Sequence, residues 1–478
     1  MLSLNRLTFD NLKGDALGGL TAAIVSLPLA LTFGVASGAG AEAGLYGAII
    51  IGLFASLFGG TSTLISEPTG PMTVVMTAVV MSLVAANPEN GMAMAFTVVM
   101  LAGLFQIIFG FLKLGKYITL MPYSVVSGFM SGIGLILIIL QLAPALGQSA
   151  PSGGVIGTLV SLPDLLSNIV TLELLLFCLT LCILFFTPAK IKKNIPPQLI
   201  ALVVISLVSV ITIGTNPIQR IGEIDITLPN MIMPSFTQDQ VRIMLLDAIV
   251  LGMLGCIDSM LTSVIADNLT RTEHKSNKEL IGQGLGNIMS GLFGGLPGAG
   301  ATMGTVVNIQ SGGRTALSGV IRVLVLVIAV FGAASLIEMI PLAVLAGIAV
   351  KVGVDILDWS FIKRAHRVSR HSTVIMYAVL LLTVFVDLIV AVGIGVFIAN
   401  VITIEKLSAS QSKNIKAMSD VDDRNPLEPE QRRLLNQAQG KVLFFYLSGA
   451  MACAVGGGGG GERERALAGA AHAVRAPR

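Results

Sequence analysis

The sequence predicts an all-α, polytopic membrane protein built from two inverted halves. Three observations carry that expectation. Apolar runs recur along most of the chain, Lys and Arg fall in alternate loops, and two Gly/Pro-rich breaks interrupt otherwise apolar segments. Of the 478 residues, 54% are hydrophobic and 12% charged, a balance foreign to soluble globular domains. No nucleic-acid partner is expected; the lipid bilayer is.

Apolar stretches long enough to cross a hydrocarbon layer recur from near Gly18 to near Ile404. They number about fourteen, two of them short half-helices. The first is long, follows a polar start and continues into the next span, so no cleavable signal peptide is expected. Positive residues then fall in alternate loops: Arg6 and Lys13; Lys113 and Lys116; Lys190, Lys192 and Lys193; Arg271, Lys275 and Lys278; Arg314; and Lys363, Arg364, Arg367 and Arg370. The positive-inside rule puts these loops and both termini in the cytoplasm, in the inner (plasma) membrane of a cell. Arg220 and Arg242 are outer-side exceptions, in or beside the polar, Pro-containing linker Thr215 to Gln240.

Spans one to seven (Gly18 to Ile213) and eight to fourteen (Val241 to Glu405) form the two halves. An odd number of spans in each makes the second half inverted. Residues 1–407 are read as the transmembrane domain and 408–440 as a polar linker. Residues 441–455 hold a strand-like run from Lys441 to Gly449, and 456–478 form a Gly-, Ala- and Arg-rich tail, read as flexible and non-native. Cys178 and Cys182 are read as small buried hydrophobes that need no disulfide. His274, His366, His371 and His472 are read as exposed, none of them a metal ligand. No nucleophile constellation or phosphate loop is present, so no enzyme is expected.

The chemistry is expected at the breaks. Glu67-Pro68-Thr69-Gly70-Pro71 and Gly294-Gly295-Leu296-Pro297-Gly298-Ala299-Gly300-Ala301-Thr302 occupy matching places in the two halves. Unwound backbone at membrane depth survives only where it lines a cavity or is buried in protein. Helices starting near Gly70 and Ala301, inverted relative to each other, would face their N-termini together and make an anion site without Lys or Arg. Gly70, Gly300 and Ala301 would admit a ligand to the backbone, and Thr69 and Thr302 would add hydroxyls. Glu67 would line the cavity. Asp258 lies deep in span eight, with Thr262 one turn on along the same face. A buried carboxylate of this kind is a functional residue by default. Sodium fits the oxygen set, a proton on Asp258 competes with that reading, and a neutral, hydrogen-bonded acid is the structural alternative. Lys351 is explained by snorkelling.

At this point the chain resembles the sulfate permease (SulP) family of anion transporters. The motifs are Ala43-Gly44-Leu45-Tyr46, Phe58-Gly59-Gly60-Thr61-Ser62, Pro68-Thr69-Gly70-Pro71, Ala266-Asp267-Asn268-Leu269-Thr270, Ser276-Asn277-Lys278-Glu279-Leu280, Gln283-Gly284, Asn287 and Gly294-Gly295-Leu296-Pro297-Gly298. The resemblance spans roughly Asp15 to Leu407. It implies a seven-plus-seven inverted repeat in which a core (spans 1–4 and 8–11) moves past a gate (spans 5–7 and 12–14). Within the family the chain is most similar to the sodium-dependent bicarbonate branch; many other members carry Glu at the position of Asp258. That similarity implies Thr69, Ala301 and Thr302 for bicarbonate, and Asp258, Thr262, Gly300 and Thr302 for sodium, a co-transported ion rather than a cofactor. It also implies symport by an elevator movement, with proton-coupled sulfate uptake as the alternative. A regulatory or dimerising STAS domain normally follows; only its first strand is expected here, which leaves no complete domain for a homodimer.

Overall fold

A computed structural model describes residues 4–386, apart from positions 6, 116–122, 152, 193–194, 214–217, 223–230, 333 and 365–369, and beyond them 415–418, 433 and 444–447. Two compact units are present, Met1–Val392 and Gly393–Arg478. Among the described residues the first holds thirteen helices of nine residues or more. These are α1 (Leu12–Ala36), α2 (Ala41–Phe58), α3 (Gly70–Ala86), α4 (Gly91–Phe111), α5 (Tyr123–Leu140), α6 (Thr171–Phe186) and α7 (Pro197–Ile213). The second half continues with α8 (Val241–Thr270), α9 (Ser276–Leu292), α10 (Thr302–Gln310), α11 (Ala316–Gly332), α12 (Leu342–Ile356) and α13 (Arg370–Phe385). Positions 387–405, where a fourteenth span is expected, lie outside the described residues. Five helices, α1, α2, α4, α5 and α8, are at least 18 residues long and apolar enough to cross a membrane.

Two strand pairs qualify the all-α expectation. β1 (Ser66–Glu67) and β2 (Ala299–Gly300) occupy the two breaks and pair antiparallel. β3 (Ile415–Met418) pairs antiparallel with β4 (Phe444–Leu447) in the second unit. β4 falls inside the run expected to be a strand, whereas β3 lies within the stretch read as a linker. The tail from 456 lies outside the described residues.

Helix lengths follow local chemistry. α8 runs for 30 residues and ends at Arg271, whose φ of 57° is left-handed and breaks the ladder. α10 is only nine residues, about 14 Å, and is a true half-helix. α3 is not, in contrast to the expectation: its 17 residues span about 26 Å, because no Gly or Pro interrupts the run from Met72 to Asn87.

Packing sorts the helices into two groups. α9 lies between α4 and α2, α8 lies on α4, and α1 packs on α2, α10 and α11. Separately, α5 packs on α12 and α13, and α6 on α7 and α12. The groups meet where α1 touches α12 and α3 touches α5. Close approach within the first group needs glycine at a few points: a Cβ on Gly44 would lie 1.9 Å from the Ala30 carbonyl oxygen.

Two surface expectations change, and Lys351 gains partners. Cys178 and Cys182 are free but exposed, on an apolar outer face of α6 with Leu175, Leu179 and Phe186. Nearly all of α6 is apolar, so its composition does not mark which side packs against protein. His274 is only 11% exposed, because its Nδ1 lies 2.6 Å from Asp267 Oδ2 and its Nε2 lies 3.0 Å from Ser276 Oγ. Lys351 is held by Asp355 one turn on and sits 5.3 Å over the Phe185 ring.

Candidate functional site

The two breaks cross each other. Ser66 pairs with Gly300 and Glu67 with Ala299, so segments far apart in sequence are joined back to back. Glycine makes this possible: a Cβ at Gly298 would lie 2.5 Å from the Glu67 carbonyl oxygen. The pair is stitched further by Ala301 N to Ile65 O (2.8 Å) and by Ile65 N to Thr305 Oγ1 (3.0 Å). From this crossing α3 begins at Gly70, with Pro71 in its first turn, and α10 begins at Thr302. The first-turn N–H groups of both helices have no intrahelical partners and carry the positive ends of their dipoles.

α8 passes alongside and contributes the acid. Asp258 lies near the middle of α8, 8% exposed, and its Oδ2 has no hydrogen-bond partner. The Thr69 side chain lies beside Asp258, and Thr69 Oγ1 makes no hydrogen bond of normal geometry. No ion pair to Asp258 exists among the described residues. One turn along α8, buried Thr262 donates through Oγ1 to Gly300 O at 2.8 Å and lies 2.9 Å from Thr302 Oγ1. Ser259 Oγ accepts Gly300 N at 3.0 Å. Thr262, Gly300 and Thr302 therefore converge, with Asp258 one turn away along α8 and Thr69 beside it. Carboxylate, hydroxyl and carbonyl oxygens of this kind suit a hard monovalent or divalent cation.

The other expected positions are placed as follows. Ala301 caps α10, but its own N–H is taken by Ile65 O. Thr302 is exposed, so a solute can reach it. A Cβ on Gly70 would lie 2.6 Å from Ile356 Cδ1, so the small side of Gly70 packs against α12. Glu67 does not line the cavity as expected. It is 2% exposed, and its Oε2 lies 2.6 Å from Arg322 Nη2 on α11.

Two groups of residues build the site in roles that the sequence reading did not assign. Arg322 is one; its signal was a lone cation in an otherwise apolar helix, which by default needs a partner. The polar face of α9 is the other. Glu279, Gln283 and Asn287 recur every four residues and are fully buried. Glu279 Oε2 accepts the N–H groups of Gly60 and Thr61, each at 2.7 Å. Gln283 Nε2 donates to Ser66 Oγ at 2.6 Å, and Asn287 exchanges two bonds with Gly298. This one face clamps both breaks.

The chain is thus a membrane-type helical fold in which two helices start from a crossed strand pair beside a buried acid. The sequence pattern of the sulfate permease family matches residues 12–379, and the chain belongs to that family. It is 65% identical to the bicarbonate transporter BicA of Synechocystis sp. over 447 residues, 94% of this chain and 79% of that one. The solved transmembrane domain of a cyanobacterial bicarbonate transporter BicA superposes with a TM-score of 0.78 at 67% identity, covering 81% of this chain and 99% of that one. The murine anion transporter Slc26a9 shares the fold with a TM-score of 0.77 at 20% identity, covering 90% of this chain and 74% of the other.

Proposed function

We propose that the chain carries bicarbonate across a membrane together with sodium. The observation that supports this most directly is the β1–β2 crossing, which brings two helix N-termini to an acid whose Oδ2 has no partner. In this reading the anion meets Thr69, Gly70, Ala301 and Thr302, where the dipole ends supply positive potential without a basic side chain. Sodium takes Asp258, Thr262 Oγ1, Gly300 O and Thr302 Oγ1. Sodium beside the anion raises anion affinity, and the anion raises sodium affinity by the same factor. The 65% identity to a protein named for bicarbonate transport supports the choice of substrate.

The remaining features belong to the same proposal. α1–α4 with α8–α11 form the moving core, and α5–α7 with α12, α13 and one further span form the gate. The two halves are inverted repeats, both termini are cytoplasmic, and alternating access is an elevator movement of the core. The protein sits in the cell's inner membrane, and a STAS-type region contributes to dimerisation where it is complete.

The test is uptake of radiolabelled bicarbonate by purified protein in liposomes, with sodium or with choline in its place. Sodium should stimulate uptake, and Asp258→Asn should abolish that stimulation. Stimulation that survives in the variant would remove Asp258 from the assignment. The family's description as sulfate permeases favours one second reading, proton-coupled sulfate uptake, which would follow pH and ignore the choline exchange.

A further inference from the structure

Arg322 is buried completely, and two of the four polar groups it touches belong to β1. Its Nη2 reaches Glu67 Oε2 at 2.6 Å, its Nη1 reaches Ser66 O at 3.1 Å and Ala48 O at 3.2 Å, and its Nε donates to Ser26 Oγ at 2.8 Å. It thus ties β1 to α1, α2 and α11. The second Glu67 oxygen, Oε1, has no hydrogen-bond partner, and it lies 3.2 Å from where a Cβ on Gly304 would stand. Gly304 is in the first turn of α10. The Glu67 carboxylate therefore lies against the helix start that is meant to attract a solute anion. A carboxylate there is itself a good partner for the dipole and competes with any anion for it.

We propose that Arg322 is a positioning residue for the anion site: it holds β1 in its crossed register and cancels the Glu67 charge that would otherwise occupy the α10 N-terminus. This rests on the reading of the helix starts as the anion site. Glu67 is two residues before Thr69, about 7 Å along an extended chain. Across that distance, at an effective dielectric constant of about 35, between those of a partly buried site and of water, one uncompensated unit charge changes the affinity for a small ion by on the order of tenfold.

The sign of the change separates this role from scaffolding. Glu67→Gln keeps the side-chain shape and an acceptor for Arg322 but leaves the guanidinium uncompensated. In liposome uptake the KM for the anion should fall on the order of tenfold, and the KM for sodium should rise by a similar factor. Arg322→Met should shift both the other way, and the double variant should return both towards wild type. A purely structural pair predicts that the single variants raise both constants, or neither. That outcome, or shifts below twofold in Glu67→Gln, overturns the proposal. Should Arg322→Met fail to fold, Glu67→Gln decides alone. If wild-type uptake ignores sodium, the sodium reading fails separately, and Arg322 is then judged on the anion KM for bicarbonate and for sulfate. If no uptake is seen, the melting temperature titrated with each anion gives the same ordering: half-saturation in Glu67→Gln at lower anion concentration supports the proposal, and an unchanged or higher one overturns it.

Discussion

Asp258→Asn should make the sodium-free protein more stable, not less. In α8 the carboxylate is 8% exposed, and its Oδ2 has no hydrogen-bond partner. A carboxylate at the centre of a membrane helix costs about 2.5–3.5 kcal/mol on insertion scales. The amide of Asn is isosteric and uncharged but still polar, and burying it costs about 1–3 kcal/mol. The net gain in the absence of sodium is therefore about 1 kcal/mol, a shift of about 1 °C in melting temperature for a chain of this size. Sodium reverses the order. At a concentration one hundred times its dissociation constant it stabilises the wild type by about 2.7 kcal/mol and should leave the variant unmoved. The assay is thermal unfolding of detergent-purified protein in choline chloride and in sodium chloride. A variant that melts below wild type in choline, or that still shifts with sodium, would falsify the view of Asp258 as an uncompensated cation ligand.

Three further outcomes follow from the geometry. Thr262→Val preserves volume but removes the bonds to Gly300 O and Thr302 Oγ1, and should raise the sodium KM while lowering stability by about 1–3 kcal/mol in thermal melts. Gly298→Ala drives a methyl group to 2.5 Å from the Glu67 carbonyl oxygen, so uptake should be lost while the protein still reaches the membrane, measured by uptake against surface labelling. Glu279→Gln sets an amide N–H2 against either the Gly60 and Thr61 donors or the Gln283 donor, whichever way it flips. Melting should show a destabilisation of about 2–4 kcal/mol.

What the sequence disclosed was the backbone. Gly and Pro report φ/ψ demands directly, so the helix starts at Gly70 and Thr302 were legible within a residue. The burial of Asp258 was legible because an acid deep in an apolar run has few explanations. The strand pair was not, since two residues per strand are too short for any periodicity to register. Glu67 was misassigned because its partner is 255 positions away, and nothing local distinguishes a carboxylate lining a cavity from one locked to a guanidinium. The clamping face of α9 was visible as a motif, but its role depends on backbone groups of other helices. The exposed cysteines of α6 show the same limit in reverse: an apolar helix does not record which side meets lipid and which meets protein.

The crossing of β1 with β2 also sets an order of events in biosynthesis. Ser66 and Glu67 leave the ribosome long before Ala299, Gly300 and Arg322, the last of them 256 positions after Ser66. Until those residues arrive, the nascent amino-terminal half carries an open strand edge and an acid without its counter-charge, both unfavourable in hydrocarbon. Translation arrested between Ser66 and Arg322 should therefore yield a product that quality-control proteases recognise, and the two halves made as separate chains should survive only when synthesised together.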